Sequence, residues 1–347
     1  MWNILRHYKV PRKFINIIKD LYNNSRCRVR TPEGATEFFE VLSGVKQGCI
    51  LSTFLFLLVI DFAMNEVTNI APFGIKWNNK DTLQDLDFAD DLALIDTSIT
   101  NLQLTTNALE NIASSLGLKI STTKTKLMSI GEDAGSLKCN DEDLEIVDKF
   151  TYLGSCIDKF GLAESDVNIR IGKAGVVFKK LSKFWSSRAL STNTKVRLFN
   201  AVILPTALYS CENWRSTKGI EKRLDVFQQR CLRRILGISY RDHIRNTEVL
   251  ECCQTKNWSN IVNDRRRKWL GHLLRTPAYQ PCHRALTWYP AGGRRNRGRP
   301  KISLRSTLEK DLQCMGLGSM AEAATIARNR LDWRSLVAQY SGQSWRT

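Results

Sequence analysis

Nowhere does this chain run uncharged and apolar for the ~20 residues a helix needs to cross a bilayer. The longest such stretches, Gln47 to Ile60 and Leu198 to Cys211, fall short and are expected to be buried core elements. The opening residues, MWNILRHYKVPRK, are charged and amphipathic and lack the apolar h-region of a secretory signal. Cysteine is present ten times but without a repeating framework, so reduced thiols are expected rather than a disulfide scaffold. Cys252, Cys253, His272, Cys282 and His283 lack the C-x2-4-C spacing of a closed structural zinc site, which argues against one. Together these absences lead to the expectation of an intracellular protein, nuclear and cytoplasmic, with no membrane partner.

Acid is also scarce, but only in one half. Residues 1–150 carry 16 Lys+Arg against 20 Asp+Glu, a net of −4, whereas residues 151–347 carry 36 against 14, a net of +22. A neutral-to-acidic half followed by a strongly basic one points to a core domain joined to a polyanion-binding region. At 347 residues the chain is long enough for two or three domains.

Periodicity gives a coarse α+β reading. Short helices are expected at 3–8 and 14–22, separated at Pro11, and strands at 26–30 and 38–42 around Pro32-Glu33-Gly34. A long apolar helix should cover 52–70, a hairpin 83–96, and a helix 100–116 stopped by Gly117. Strands are expected at 127–130 and 150–153. Beyond about residue 165 the pattern becomes helical. Ile220, Leu224, Phe227, Cys231 and Ile235 share one helix face, with Arg223, Arg230 and Arg234 aligned beside it. Arg265 to Arg275 repeats the theme, with Trp269, Leu270, Leu273 and Leu274 among Arg265, Arg266, Arg267 and Lys268. Both are expected to be amphipathic helices with solvated basic faces, and together a nucleic-acid contact surface. GGRRNRGRPK (292–301) is turn-rich and basic; Arg297 and Arg299 lie in an RGRP core like that of an AT-hook, or in a basic linker.

The most informative residues are FADDLAL, Phe88 to Leu94. Asp90 and Asp91 sit among apolar residues that alternate as in strands, Leu86 and Phe88 before them and Leu92 and Leu94 after. Carboxylates so placed are costly unless a cation or hydrogen bonds compensate, which makes the pair a candidate Mg²⁺ site. A solvated Asp-Asp turn is common, and the pair alone would carry little weight. It is flanked, however, by GVKQGCILSTFLFLLVID (44–61) upstream and by GLKISTTKTKLM (117–128) and FTYLGSCI (150–157) downstream. In that order and spacing the segments resemble the later palm motifs of a reverse transcriptase, most nearly those of non-LTR, LINE-type retrotransposons.

The resemblance implies a partial right-hand polymerase palm, an antiparallel sheet with helices, over 1–157. A helical thumb over 158–245 and a basic nucleic-acid-binding region over 246–347 would follow. It implies RNA-directed DNA polymerase activity, with an RNA template, a DNA primer or target, deoxynucleoside triphosphates and Mg²⁺. Asp90 would be a metal ligand and Asp91 a supporting acid. Gly44, Gln47 and Gly48 would lie beneath the templating base and nucleotide. Lys124 or Lys126 would serve the pyrophosphate leaving group. Arg223, Arg230, Arg234, Arg297 and Arg299 are the candidate nucleic-acid contacts. Thr53 stands where the family pattern has proline. The family's other metal-binding Asp and its fingers would fall upstream of Met1. The chain is therefore expected to begin inside the palm, as a truncated or degenerate copy or a gene start placed at an internal methionine, and to be inactive as it stands. The alternative is a non-catalytic nucleic-acid-binding remnant.

Overall fold

The computed structural model describes residues 1–41, 44–76, 82–130, 135–288 and 303–341. Its contacts divide the chain into two compact units, Met1–Val147 and Asp148–Thr347. The sequence reading instead places its first division after residue 157. Helices and short strands alternate in the first unit and helices dominate the second, as an α+β chain requires. Among the described residues the strands form seven separate two-stranded ladders rather than one extended sheet. All are antiparallel except Lys126–Leu127 with Glu145–Ile146.

The first unit is organised around the helix Ile50–Ile70. It buries Leu55 with Leu5 and Ile15 at one end, and Met64, Val67 and Ala71 with Ala108 and Leu109 of the helix Ile99–Ser115 at the other. With 21 residues, this helix is long and apolar enough, by length and composition, to cross a membrane. That corrects the expectation that no segment reaches such length. The sequence reading counted uncharged runs, and this helix continues through Asp61 and Glu66. Its burial is also incomplete: Ile50, Phe54, Leu57 and Ile70 are exposed. The helix Ile99–Ser115 ends as expected, with Gly117 at φ +75, a conformation that glycine adopts without a Cβ penalty.

The second unit packs two apolar clusters. In the larger, Phe178 stacks on Trp185 at 4.9 Å and Phe199 on Trp258 at 5.6 Å, while Ile220, Leu224, Leu232 and Ile235 come from the helix Lys218–Leu236. That helix starts at Thr217, whose side chain accepts from the Ile220 amide, and stops at Gly237 with φ +73. This cluster runs from Val167 to Val262, across the division expected at 245. The smaller cluster gathers Leu308, Leu312, Trp333 and Val337. The helix Trp258–Arg275 joins the two, giving Trp258 and Val262 to one and Leu270 to the other.

That helix overturns one expectation. Arg266 and Arg267 are 0 % exposed, not part of a solvated basic face. Arg266 Nε donates to Asp311 Oδ2 at 2.5 Å, and its other nitrogens donate to Ser216 Oγ and Asn263 Oδ1, each at 2.8 Å. Arg267 Nε lies 3.6 Å from Asp311 Oδ1, and its guanidinium donates to the Tyr340 carbonyl at 2.9 Å. Buried charges must be paired and hydrogen-bonded, and Asp311, from the helix Leu304–Cys314, supplies the counter-charge.

Candidate functional site

Asp85–Phe88 and Asp91–Leu94 form an antiparallel hairpin with Phe88 opposite Asp91, so Ala89 and Asp90 make a two-residue loop. Ala89 has φ +56. Positive φ at the first loop residue is the type II′ pattern, normally given to glycine, and alanine there holds the backbone under strain. The alternation of Leu86, Phe88, Leu92 and Leu94 puts the acids at the tip, where Asp90 and Asp91 are exposed.

A second acidic group, which the sequence reading did not assemble, lies on the arm of the hairpin. Asp85 and Asp87 are two apart on one strand and so share a face. The Asp87 carboxyl is pushed up to about 7, first by burial, then by the charge and hydrogen bond of Asp85, and last by the charge of Asp61. Its side chain still reaches solvent, which screens the effect. Asp61 Oδ2 accepts from the Tyr8 hydroxyl and, at 3.2 Å, from Asn65 Nδ2. Tyr8 is accordingly raised above the usual phenol range by burial and by Asp61. The signal in the sequence was the D-x-D spacing before FADD.

The loop before the helix Ile50–Ile70 has the geometry its glycines allow. The Cys49 amide donates to the Lys46 carbonyl at 3.2 Å, closing a turn over Gln47 and Gly48. Gly48 has φ +84, as position i+2 of a type II turn requires, and Gly44 has φ +86. Gln47 is exposed. Cys49 caps the helix, and the amides of Ser52 and Leu51 draw its thiol below the usual range.

Lys124 and Lys126 differ. Lys126 Nζ pairs with Glu145 at 2.5 Å, whereas Lys124 is exposed in the turn before it. In the second unit, Phe150 to Ile157 is a hairpin, Lys149–Tyr152 with Ser155–Asp158, whose loop residues Leu153 and Gly154 both have positive φ. It is tied down by Tyr209, whose hydroxyl donates to the Leu153 carbonyl at 3.2 Å, and by Asp166, which accepts from the Cys156 amide at 2.9 Å and the Trp214 indole at 2.8 Å. Arg223, Arg230 and Arg234 are exposed on the helix Lys218–Leu236, and Arg223 donates to Asn168 at 3.0 Å. Arg297 and Arg299 lie outside the described residues. Among the described residues, no three His, Cys, Asp or Glu side chains gather in a way that could hold a metal ion.

Residues 1–157 match the reverse transcriptase (RNA-dependent DNA polymerase) family. A putative uncharacterized transposon-derived protein of Caenorhabditis elegans is 23 % identical over 282 residues, covering 77 % of this chain and 99 % of that protein. The retrovirus-related Pol polyprotein from the type-2 retrotransposable element R2DM of Drosophila melanogaster is 30 % identical over 124 residues, 36 % of this chain and 11 % of the polyprotein. Its counterpart from the type-1 retrotransposable element R2 of Nasonia vitripennis is 25 % identical over 178 residues, 48 % of this chain and 17 % of the polyprotein. The chain thus spans nearly all of the nematode relative and less than a fifth of either polyprotein.

Proposed function

Since residues 1–157 belong to the reverse transcriptase family, of the non-LTR retrotransposon kind, we propose that this chain carries the rear palm, thumb and basic C-terminal region of an RNA-directed DNA polymerase. The observation that carries the reading is the strained two-residue loop that presents Asp90 at the tip of an apolar hairpin. In this assignment Asp90 is the metal ligand and Asp91 its supporting acid. The turn at Gln47-Gly48 lets a base or nucleotide approach the backbone closely. Lys126 is engaged by Glu145, which favours Lys124 as the lysine free to meet a departing pyrophosphate. The thumb role falls to 158–245 and general nucleic-acid binding to 246–347.

Nucleotidyl transfer joins a primer 3′-hydroxyl to the α-phosphorus of a nucleoside triphosphate and expels pyrophosphate. Two-metal sites of this chemistry hold their ions ~3.5–4 Å apart on shared carboxylates. The described residues do not gather such a set around Asp90. We infer that the chain by itself binds nucleic acid without polymerase turnover. The net of +22 over residues 151–347 supports the nucleic-acid-binding part of this reading.

Primer extension on an RNA template with Mg²⁺, run beside a binding assay on the same preparation, tests both. Salt-dependent binding without extension is the expected result. Robust extension abolished by Asp90→Ala would refute the inactivity and establish Asp90 as catalytic. Absence of any binding would refute the nucleic-acid assignment.

A further inference from the structure

Just past the helix Lys218–Leu236, the segment Ser239–Arg245 forms a small, well-tied loop that holds an aromatic ring in solvent. Tyr240 is 79 % exposed, more than any other tyrosine or tryptophan among the described residues. Such exposure on an unstructured tail would mean little, but this loop is built. Ser239 and Asp242 cap a single turn reciprocally: the Ser239 hydroxyl accepts from the Arg241 amide, and Asp242 Oδ2 accepts from the Ser239 amide at 2.6 Å. His243 closes the turn with φ +49. Arg233, on the helix, reaches under the loop and donates to the Ile244 carbonyl at 2.7 Å and to Asn246 Oδ1 at 2.9 Å. One arginine of the helix is thus spent on holding the loop.

The surroundings of the ring are basic. Arg241 lies 5.7 Å from its centroid and its Nε donates to the Tyr240 hydroxyl at 3.3 Å. Arg245 is exposed two residues beyond His243. Back along the helix, Arg223, Arg230 and Arg234 fall within about 40° of one another at 3.6 residues per turn, spaced by about 10 Å and 6 Å along the axis. All three are exposed. The one acid in the loop, Asp242, is engaged in the cap.

An exposed aromatic that follows a cationic helix row in the chain is the kind of pairing that sequence-tolerant single-strand binders use. The row follows the phosphates, and the ring takes the π-face of an unpaired base. A duplex offers no such face except at its ends, because its bases are stacked on one another. We propose that Tyr240 is a stacking platform for an unpaired base of a single-stranded nucleic acid whose backbone follows Arg223, Arg230 and Arg234. Arg241 both stiffens the ring and neutralises the phosphate next to it. The inference rests on the nucleic-acid-binding reading above and adds the form of the ligand, single strand over duplex, and the residue that discriminates.

The test uses the full 347-residue chain, a labelled single-stranded oligonucleotide, its duplex, and an abasic strand of the same length. Tyr240→Ala should weaken single-strand binding about 5- to 150-fold, the range that base–aromatic stacking is worth. It should change duplex and abasic-strand binding less than twofold, and Tyr240→Phe should bind as the parent does. Because the side chain is exposed, thermal unfolding of Tyr240→Ala should be unchanged. Equal losses on all three ligands, or no loss on the single strand, would overturn the stacking role while leaving the electrostatic reading intact. Failure of the parent chain to bind any of the three would instead overturn the nucleic-acid-binding reading, and this inference with it.

Discussion

Asp311 is the residue whose loss should cost the second unit most. Its carboxylate faces two guanidinium groups, and all three side chains are 0 % exposed. Replacing it with alanine removes the carboxylate that both buried guanidinium groups face, and adds a cavity between the helices Leu304–Cys314 and Trp258–Arg275. Breaking a buried pair from one side costs about 3–5 kcal/mol. Against a whole-domain stability of about 5–15 kcal/mol, that is about a fifth or more of what holds the unit together. For a unit of this size about 2–4 °C is lost per kcal/mol, which puts the expected fall in Tm at about 6–20 °C. Trp333 packs in the same cluster and donates its indole N–H to the Arg267 carbonyl at 3.1 Å, so tryptophan emission should shift to the red along the same transition. Urea denaturation followed by fluorescence and by circular dichroism gives the number. The double variant Arg266→Met with Asp311→Leu should recover part of the loss, because it removes one of the two guanidinium charges that face Asp311 together with that carboxylate. A loss below about 1 kcal/mol in Asp311→Ala would refute the buried-triad account.

Three further outcomes are expected. Gly271→Ala should destabilise the second unit by about 1–3 kcal/mol, because a Cβ there overlaps the buried Trp333 indole, whereas alanine at an open helix position would be a gain; a raised Tm would refute the close packing. Asp166→Ala should cost about 1–3 kcal/mol by stranding the Trp214 indole and the Cys156 amide, and unchanged urea unfolding would show that the hairpin is held by other contacts. Asp87 is raised from its unfolded value near 3.8 to about 7, so the folded state holds its proton longer and this group's contribution erodes as pH rises between those values. Asp87→Asn should flatten the pH dependence of unfolding over that interval and stabilise at neutral pH, and an unchanged pH profile in the variant would dispose of the coupled acids.

The hairpin around Asp90 was legible in the sequence because everything that forms it is local. Leu86, Phe88, Leu92 and Leu94 alternate, and the break in alternation falls at the Ala89-Asp90 loop. The helix Lys218–Leu236 was legible for the same reason, since its apolar face repeats at helical spacing between Thr217 and Gly237. What stayed hidden depends on partners far away in the chain. Arg266 and Arg267 read as solvated because nothing near them announces Asp311, 45 positions on from Arg266. Nothing local marks Gly271 either, because its requirement is set by Trp333. Asp87 was overlooked beside the more conspicuous acid pair, although its spacing from Asp85 places both on one face. Tyr240 drew no attention because an exposed tyrosine has no periodicity to betray it. Only the ties made by Arg233, Ser239 and Asp242 separate it from an ordinary surface ring.

The buried arginines also change what the charge of the second half means. A net of +22 over residues 151–347 invites the conclusion that the region grips many phosphates. Yet Arg266 and Arg267 neutralise Asp311 in the core, Arg233 is occupied with the loop it supports, and Arg170 is buried, lying 4.3 Å from the centre of the Tyr209 ring. Counterions are released only by cations that reach phosphate. If Arg223, Arg230, Arg234, Arg241 and Arg245 form the footprint, log K against log salt should fall with a slope of about −3.5 on a single strand and about −4.5 on duplex. A slope near the full net charge would require cations well beyond this face. A slope near zero would mean the row does not meet nucleic acid at all. The arginine motif that looked most like a binding element from its sequence, RRRK at 265–268, is in large part the element that closes the fold. Among the described residues, the smaller row on the neighbouring helix is an exposed arginine face proposed to meet the polyanion.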